Sequence, residues 1–155
     1  MNQSYQIRAV KVEDLTALKQ VISANELFPA EMLDEMISGY LQSENQQDLW
    51  LTCEVDLPIA IAYCAPEKMT EGTWNLYLIA VHPDHQGQGC GAAIIKYLEK
   101  ILKARKARLL LVETSSLPQY KAAQQFYFKC GFEQEARIRD FYQAGEDKIV
   151  FRKTL

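Results

Sequence analysis

The forty-one residues from 74 to 114 constrain the fold of this 155-residue chain more than any others. Residues 74–81 are an apolar run of strand type, and Pro83 ends it because proline cannot donate to a sheet ladder. A polar stretch, His82 to Gln86, leads into Gly87, Gly89 and Gly91 at alternate positions. Beyond them Ile94, Ile95, Leu98, Ile101 and Leu102 fall on one helical face, with Lys96, Glu99, Lys100 and Lys103 on the other. Residues 108–114, rich in leucine and valine, read as a buried strand, so the segment is a strand, helix, strand unit. Each glycine inside an element costs roughly 0.5–1 kcal/mol relative to alanine, so three together imply a sharp turn or the close approach of something to the backbone.

The flanking sequence supplies the other elements. Residues 5–10 alternate as a strand, and Leu15, Leu18, Val21 and Ile22 recur at helical spacing. After a loop at residues 25–28, Met32, Leu33, Met36, Ile37, Tyr40 and Leu41 form a second helical stripe behind Pro29. Residues 49–55 and 59–64 make a hairpin around Asp56-Leu57-Pro58. Downstream, a helix at 121–130 stops at Gly131, and strands at 132–139 and 148–153 flank the turn Ala144-Gly145. The order β-α-α-β-β-β-α-β-α-β-β, with hairpins upstream and a crossover in the middle, predicts a mixed sheet in a three-layer α/β fold built as one domain over residues 1–155.

A net charge of −3 gives no bulk attraction to nucleic acid or to an anionic membrane. No apolar run approaches the ~18 residues of a membrane span and the start lacks a signal-peptide pattern, so a cytoplasmic protein is expected. Cys53, Cys64, Cys90 and Cys130 include no CxxC pair, which predicts reduced thiols without zinc or disulfides; Cys53 and Cys64 are expected to face each other across the hairpin. His82 and His85 lack a third ligand nearby and read as loop residues, so no metal is expected.

A strand entering a helix through glycines aims unpaired N–H groups and the positive end of the helix dipole at one point, a natural phosphate site. A P-loop is excluded because Ala92-Ala93 follow Gly91 where Lys-Ser/Thr is needed. A dinucleotide fold needs G-x-G-x-x-G, whereas the spacing here is G-x-G-x-G, although Glu113 does end the next strand. A glycine turn that binds nothing is the third possibility. The fourth is carried by Gln86-Gly87-Gln88-Gly89-Cys90-Gly91, which fits Q/R-x-x-G-x-G/A and, with "LYLIAVHPDH" before it, resembles the acetyl-CoA loop of the GNAT N-acetyltransferase family. "FYFKCGF", residues 126–132, resembles the same family's aromatic-Tyr-x-x-x-Gly-Phe signature.

That resemblance, running from about Leu76 to the end of the chain, implies the acyl-CoA N-acyltransferase fold: a mostly antiparallel mixed sheet with a central, splayed parallel pair. It implies acetyl-CoA as co-substrate. Backbone groups of Ile79, Ala80 and Val81 would pair with the pantetheine arm, and the main chain of Gln86, Gly87, Gln88, Gly89, Cys90, Gly91 and Ala92 would wrap the pyrophosphate. The reaction implied is direct acetyl transfer to a primary amine, on a small molecule or a peptide, in a ternary complex. An amine of pKa about 8 to 10.4 must lose a proton, and Glu113 at the end of its strand is the candidate base. Tyr127 stands at the family's general-acid position, facing the leaving thiolate. Glu113 and the ending "ARIRDFYQAGEDKIVFRKTL" also resemble ribosomal-protein amino-terminal acetyltransferases. The chain departs from that group in having Ser115-Ser116-Leu117-Pro118 where an asparagine stands, and in a longer spacing from Glu113 to Tyr127. A homodimer is compatible with the resemblance, and an acetyl-CoA-binding module or sensor without turnover is the alternative to an enzyme.

Overall fold

The computed structural model describes residues 5–44 and 47–155. Its elements are β1 (Gln6–Ala9), α1 (Leu15–Ala24), α2 (Met32–Leu41), β2 (Leu49–Val55), β3 (Leu57–Pro66), β4 (Thr73–Val81), α3 (Cys90–Ala104), β5 (Leu109–Ser115), α4 (Lys121–Lys129), β6 (Glu133–Gln143) and β7 (Glu146–Thr154). The order is the one the apolar periodicities predict. Seven strands form one sheet in the order β1-β2-β3-β4-β5-β7-β6, with β4 and β5 as its parallel pair. This is the mixed, mostly antiparallel architecture expected from the sequence. The parallel ladder has four pairs, from Thr73 with Leu109 to Leu76 with Val112, although β4 continues to Val81 and β5 to Ser115.

The chain forms two compact units, and β4 and α3 pass through both. The first runs to Ala65 and takes in Leu78–Lys100. Its core joins Leu18, Val21 and Ile22 of α1, Leu33 and Ile37 of α2, and Trp50, Ile61 and Ala80 from the sheet. Trp50 and Tyr63 stack with ring centroids 4.1 Å apart. Cys53 pairs with Ala60 and Cys64 with Leu49, so the two cysteines do not face each other as expected. The hairpin turn is tighter than the proline suggested: β3 begins at Leu57, Asp56 takes φ 65°, and a register shift at Cys53/Glu54 displaces the pairing.

The second unit comprises Pro66–Tyr77 and Ile101–Leu155. Strand β5 is antiparallel to β7, with Val112 opposite Phe151 and Glu113 opposite Val150. Because side chains alternate along a strand, Val112, Phe151 and Ile149 occupy one face while Glu113, Val150 and Lys148 occupy the other. Helix α4 lays Tyr127 against Phe151 and Phe132, with centroids 5.5 and 5.9 Å apart. Strand β6 is exposed along all eleven residues.

Candidate functional site

The glycine loop lies in the first unit. Gly87 and Gly89 adopt φ of +75° and +91°, a region costly for other residues. A Cβ built on either meets nothing within 4 Å. Backbone conformation therefore requires glycine at these positions, and the space beyond them is open. Helix bonding starts with the Ala93 N–H donating to the Gly89 carbonyl (3.0 Å), so the N–H groups of Cys90, Gly91 and Ala92 precede the first intrahelical bond. The Tyr5 hydroxyl donates to the Gln88 carbonyl at 2.8 Å. Cys90 packs its side chain inward at 2% exposure. The hydrogen-bonded Cys53 thiol and burial push the Cys90 thiol above its ordinary value, so it stays protonated despite its place in the first turn.

A small network anchors this loop to the end of α1. Gln86 Nε2 donates to Asn25 Oδ1 (3.0 Å) and to the Val81 carbonyl (2.9 Å), and Asn25 Nδ2 donates to the Val81 (3.0 Å) and Val21 (2.9 Å) carbonyls. The Val81 carbonyl thus already accepts two side-chain hydrogen bonds. His82 Nδ1 accepts from the Asp84 N–H, which gives that histidine a place in the turn. No group of three His, Cys, Asp or Glu side chains among the described residues is arranged to hold a metal ion.

The second unit holds the two residues expected to handle protons. Glu113 lies on β5, where the sheet register sets its neighbours. Asn75 pairs with Leu111, two residues before Glu113, and Lys148 stands two before Glu113's partner Val150. Such diagonal neighbours are within reach of long side chains. Lys148 Nζ contacts Glu113 Oε2 at 2.9 Å, and Asn75 Nδ2 donates to Oε1 at 3.2 Å. Asn75 Nδ2 also donates to Glu67 Oε1 (3.0 Å), which accepts from the Tyr77 hydroxyl as well (2.6 Å). The Lys148 ammonium sits 4.2 Å from the centroid of the Phe141 ring. The Glu113 side chain keeps 30% exposure, so the carboxylate is fixed yet reachable.

Tyr127 projects from α4 onto the other face of β5 and β7, at 6% exposure. Burial pushes its phenol above the ordinary value, with a further contribution from Cys130, so the proton stays on the oxygen across the working pH range. Its hydroxyl has no hydrogen-bond partner among the described residues. Glu113 and Tyr127 share no hydrogen bond; they stand on opposite faces of the same pair of strands.

The sequence matches the family described as acetyltransferase (GNAT) domain over residues 45–134, more than half of the chain. The chain belongs to the GNAT acetyltransferase family. Acetyl transfer, expected from the loop and the aromatic signature, is the activity of that family. A Desulfovibrio desulfuricans protein assigned to the family is 30% identical over 97% of this chain and 99% of its own, with a TM-score of 0.90. Two more distant structures share the fold. The ribosomal-protein-S18-alanine N-acetyltransferase from Escherichia coli is 22% identical (TM-score 0.77, 97% and 94% covered). A Salmonella typhimurium structure with its cofactor acetyl-CoA is 17% identical (TM-score 0.79, 99% and 95% covered). No curated protein matches the sequence.

In this GNAT acetyltransferase the sequence offers the loop, Glu113 and Tyr127 as candidates, but not Asn25, Glu67, Asn75 or Lys148, whose hydrogen bonds and ion pairs surround the loop and Glu113. Asn75 did leave a signal, as a polar residue inside the apolar run 74–81. Asn25 leads to a testable consequence. Replacing it with leucine removes the tie between Gln86 and α1, and net hydrogen bonds of about 1 kcal/mol each translate into roughly three- to tenfold weaker coenzyme A binding. Calorimetric titration of the variant should give that loss, with kcat unchanged at saturating acetyl-CoA; unchanged affinity would show that the loop holds its shape without Asn25.

Proposed function

We propose that the protein is a cytoplasmic, acetyl-CoA-dependent N-acetyltransferase that moves the acetyl group directly to a primary amine on a small molecule or a peptide. The observation that carries this reading is the loop: positive-φ glycines with open space beside them, next to the free N–H groups of the first turn of α3. Donors without side chains around open space suit a diphosphate, which needs close approach from several N–H groups at once. The main chain of residues 86–92 binds that group, and the backbone of Ile79, Ala80 and Val81 guides the pantetheine arm.

Glu113 takes a proton from the acceptor nitrogen, directly or through a water, so that the lone pair can attack the thioester carbon. As the new C–N bond forms the C–S bond breaks, and Tyr127 supplies a hydrogen bond and then a proton to the departing sulfur. The products are the N-acetylated amine and coenzyme A as its free thiol.

Release of free thiol from acetyl-CoA tests the reading, with an alanine-started peptide, Nα-acetyl-lysine, spermidine and kanamycin as acceptors. Amine-dependent release, with the acetylated product seen by mass spectrometry, is the expected result. Stabilisation by coenzyme A without release from any acceptor would favour a binding module over an enzyme. Gly89→Val should weaken coenzyme A binding at least tenfold, because it puts a β-branched residue at φ +91° and fills the open space. Undiminished affinity in a titration would remove the loop from the binding site.

A further inference from the structure

Asn75 is placed unlike any other polar residue of β4. It is 2% exposed, within a strand whose neighbours Trp74 and Leu76 are buried and apolar. Its amide nitrogen has two hydrogens and spends each on a different carboxylate, Glu67 at 3.0 Å and Glu113 at 3.2 Å. Its Oδ1 is buried without a hydrogen-bond partner among the described residues. An orphaned acceptor weakens a fold, and an apolar residue of similar size would avoid it. What the asparagine supplies in return is a bridge between two like charges that would otherwise repel.

The bridge has a firm far end. Glu67 Oε1 accepts from both Tyr77 and Asn75, and these hydrogen bonds hold its carboxyl below the usual carboxylate range, so it is ionised wherever the enzyme works. Glu113 is then gripped on both oxygens, by Asn75 on Oε1 and Lys148 on Oε2, which leaves it one orientation and a free lone pair on each oxygen.

We propose that Asn75, anchored by Glu67, is a positioning residue that fixes Glu113 in the orientation in which it takes the proton of the acceptor amine. The proposal rests on Glu113 being the base. Asn75 touches neither donor nor acceptor in this account; it acts through the carboxylate.

The experiment is a double-mutant cycle on kcat, read as thiol release from acetyl-CoA with the fastest of the four acceptors named above. Asn75→Leu should lower kcat about tenfold in the native background and leave the KM for acetyl-CoA within about twofold, while in the Glu113→Gln background it should change kcat by less than about twofold. Glu67→Gln, at a partly exposed position, should lower kcat in the same sense by about threefold and serves if the leucine variant folds poorly, as judged by thermal unfolding with coenzyme A. Equal losses from Asn75→Leu in both backgrounds would mark a general structural effect and overturn the proposal, as would an unchanged kcat in both single variants. A Glu113→Gln enzyme with full kcat would instead overturn the base assignment, and the positioning role with it.

Discussion

Glu113→Gln is expected to lower kcat by about 10²-fold or more at neutral pH, within the 10²- to 10⁴-fold that a positioned general base contributes. The substitution keeps the shape of the side chain, and its single amide oxygen can still accept from Lys148 Nζ or from Asn75 Nδ2, though not from both, so the fold should survive. What it loses is the ability to take a proton. An aliphatic amine with a pKa near 10.4 is then left almost wholly protonated at pH 7, whereas an α-amine near 8 is less so. The deficit should therefore be larger for Nα-acetyl-lysine than for a peptide amino terminus, and it should shrink as pH rises toward the acceptor's own pKa. Steady-state rates between pH 7 and 10 check this. A deficit independent of pH and acceptor would mean that Glu113 serves structure instead.

Tyr127→Phe is expected to lower kcat more than tenfold and to leave coenzyme A affinity nearly unchanged. The ring contacts with Phe126, Phe132 and Phe151 remain in the variant, so packing is preserved. The hydroxyl that is lost bonds to no other described residue, and a tyrosine this deeply buried normally satisfies its polar tip within the protein. Its elevated pKa keeps the proton in place until a developing thiolate draws on it. Removing the only proton donor assigned to the sulfur should slow C–S cleavage without touching the binding of the diphosphate. Kinetics at saturating acetyl-CoA, paired with a coenzyme A titration, separate the two effects. An unchanged kcat would take Tyr127 out of the mechanism.

The parts of this molecule that were legible in sequence are those whose signal is local. The stripe from Ile94 to Leu102 gave α3, and the alternate glycines gave the loop before it. Strand β6 shows the limit: it runs to Gln143, four residues beyond the expected end, through register shifts around Asp140 at φ 55°. At the site, Glu113 and Tyr127 could be named because each sits in a recognisable stretch. Their supports could not, because they come from distant points of the chain. Asn75 lies 38 residues from Glu113, and Asn25 lies 61 from Gln86. Only the sheet register and the packing of α1 bring such pairs within reach. Cys53 illustrates the same point: the register that pairs Leu49 with Cys64 carries on to oppose Cys53 to Ala60.

Central to the proposed mechanism is the grip of the main chain of residues 86–92 on a diphosphate, and titration with two ligands addresses that grip directly. Coenzyme A carries the diphosphate and pantetheine does not. Coenzyme A should bind the native protein at least 100-fold more tightly than pantetheine, a difference of about 2.8 kcal/mol at about 1.4 kcal/mol per tenfold, and Gly89→Val should erase most of that difference while leaving pantetheine binding as it was. Equal affinities for the two ligands, or a Gly89→Val protein that still prefers coenzyme A by the full margin, would contradict it.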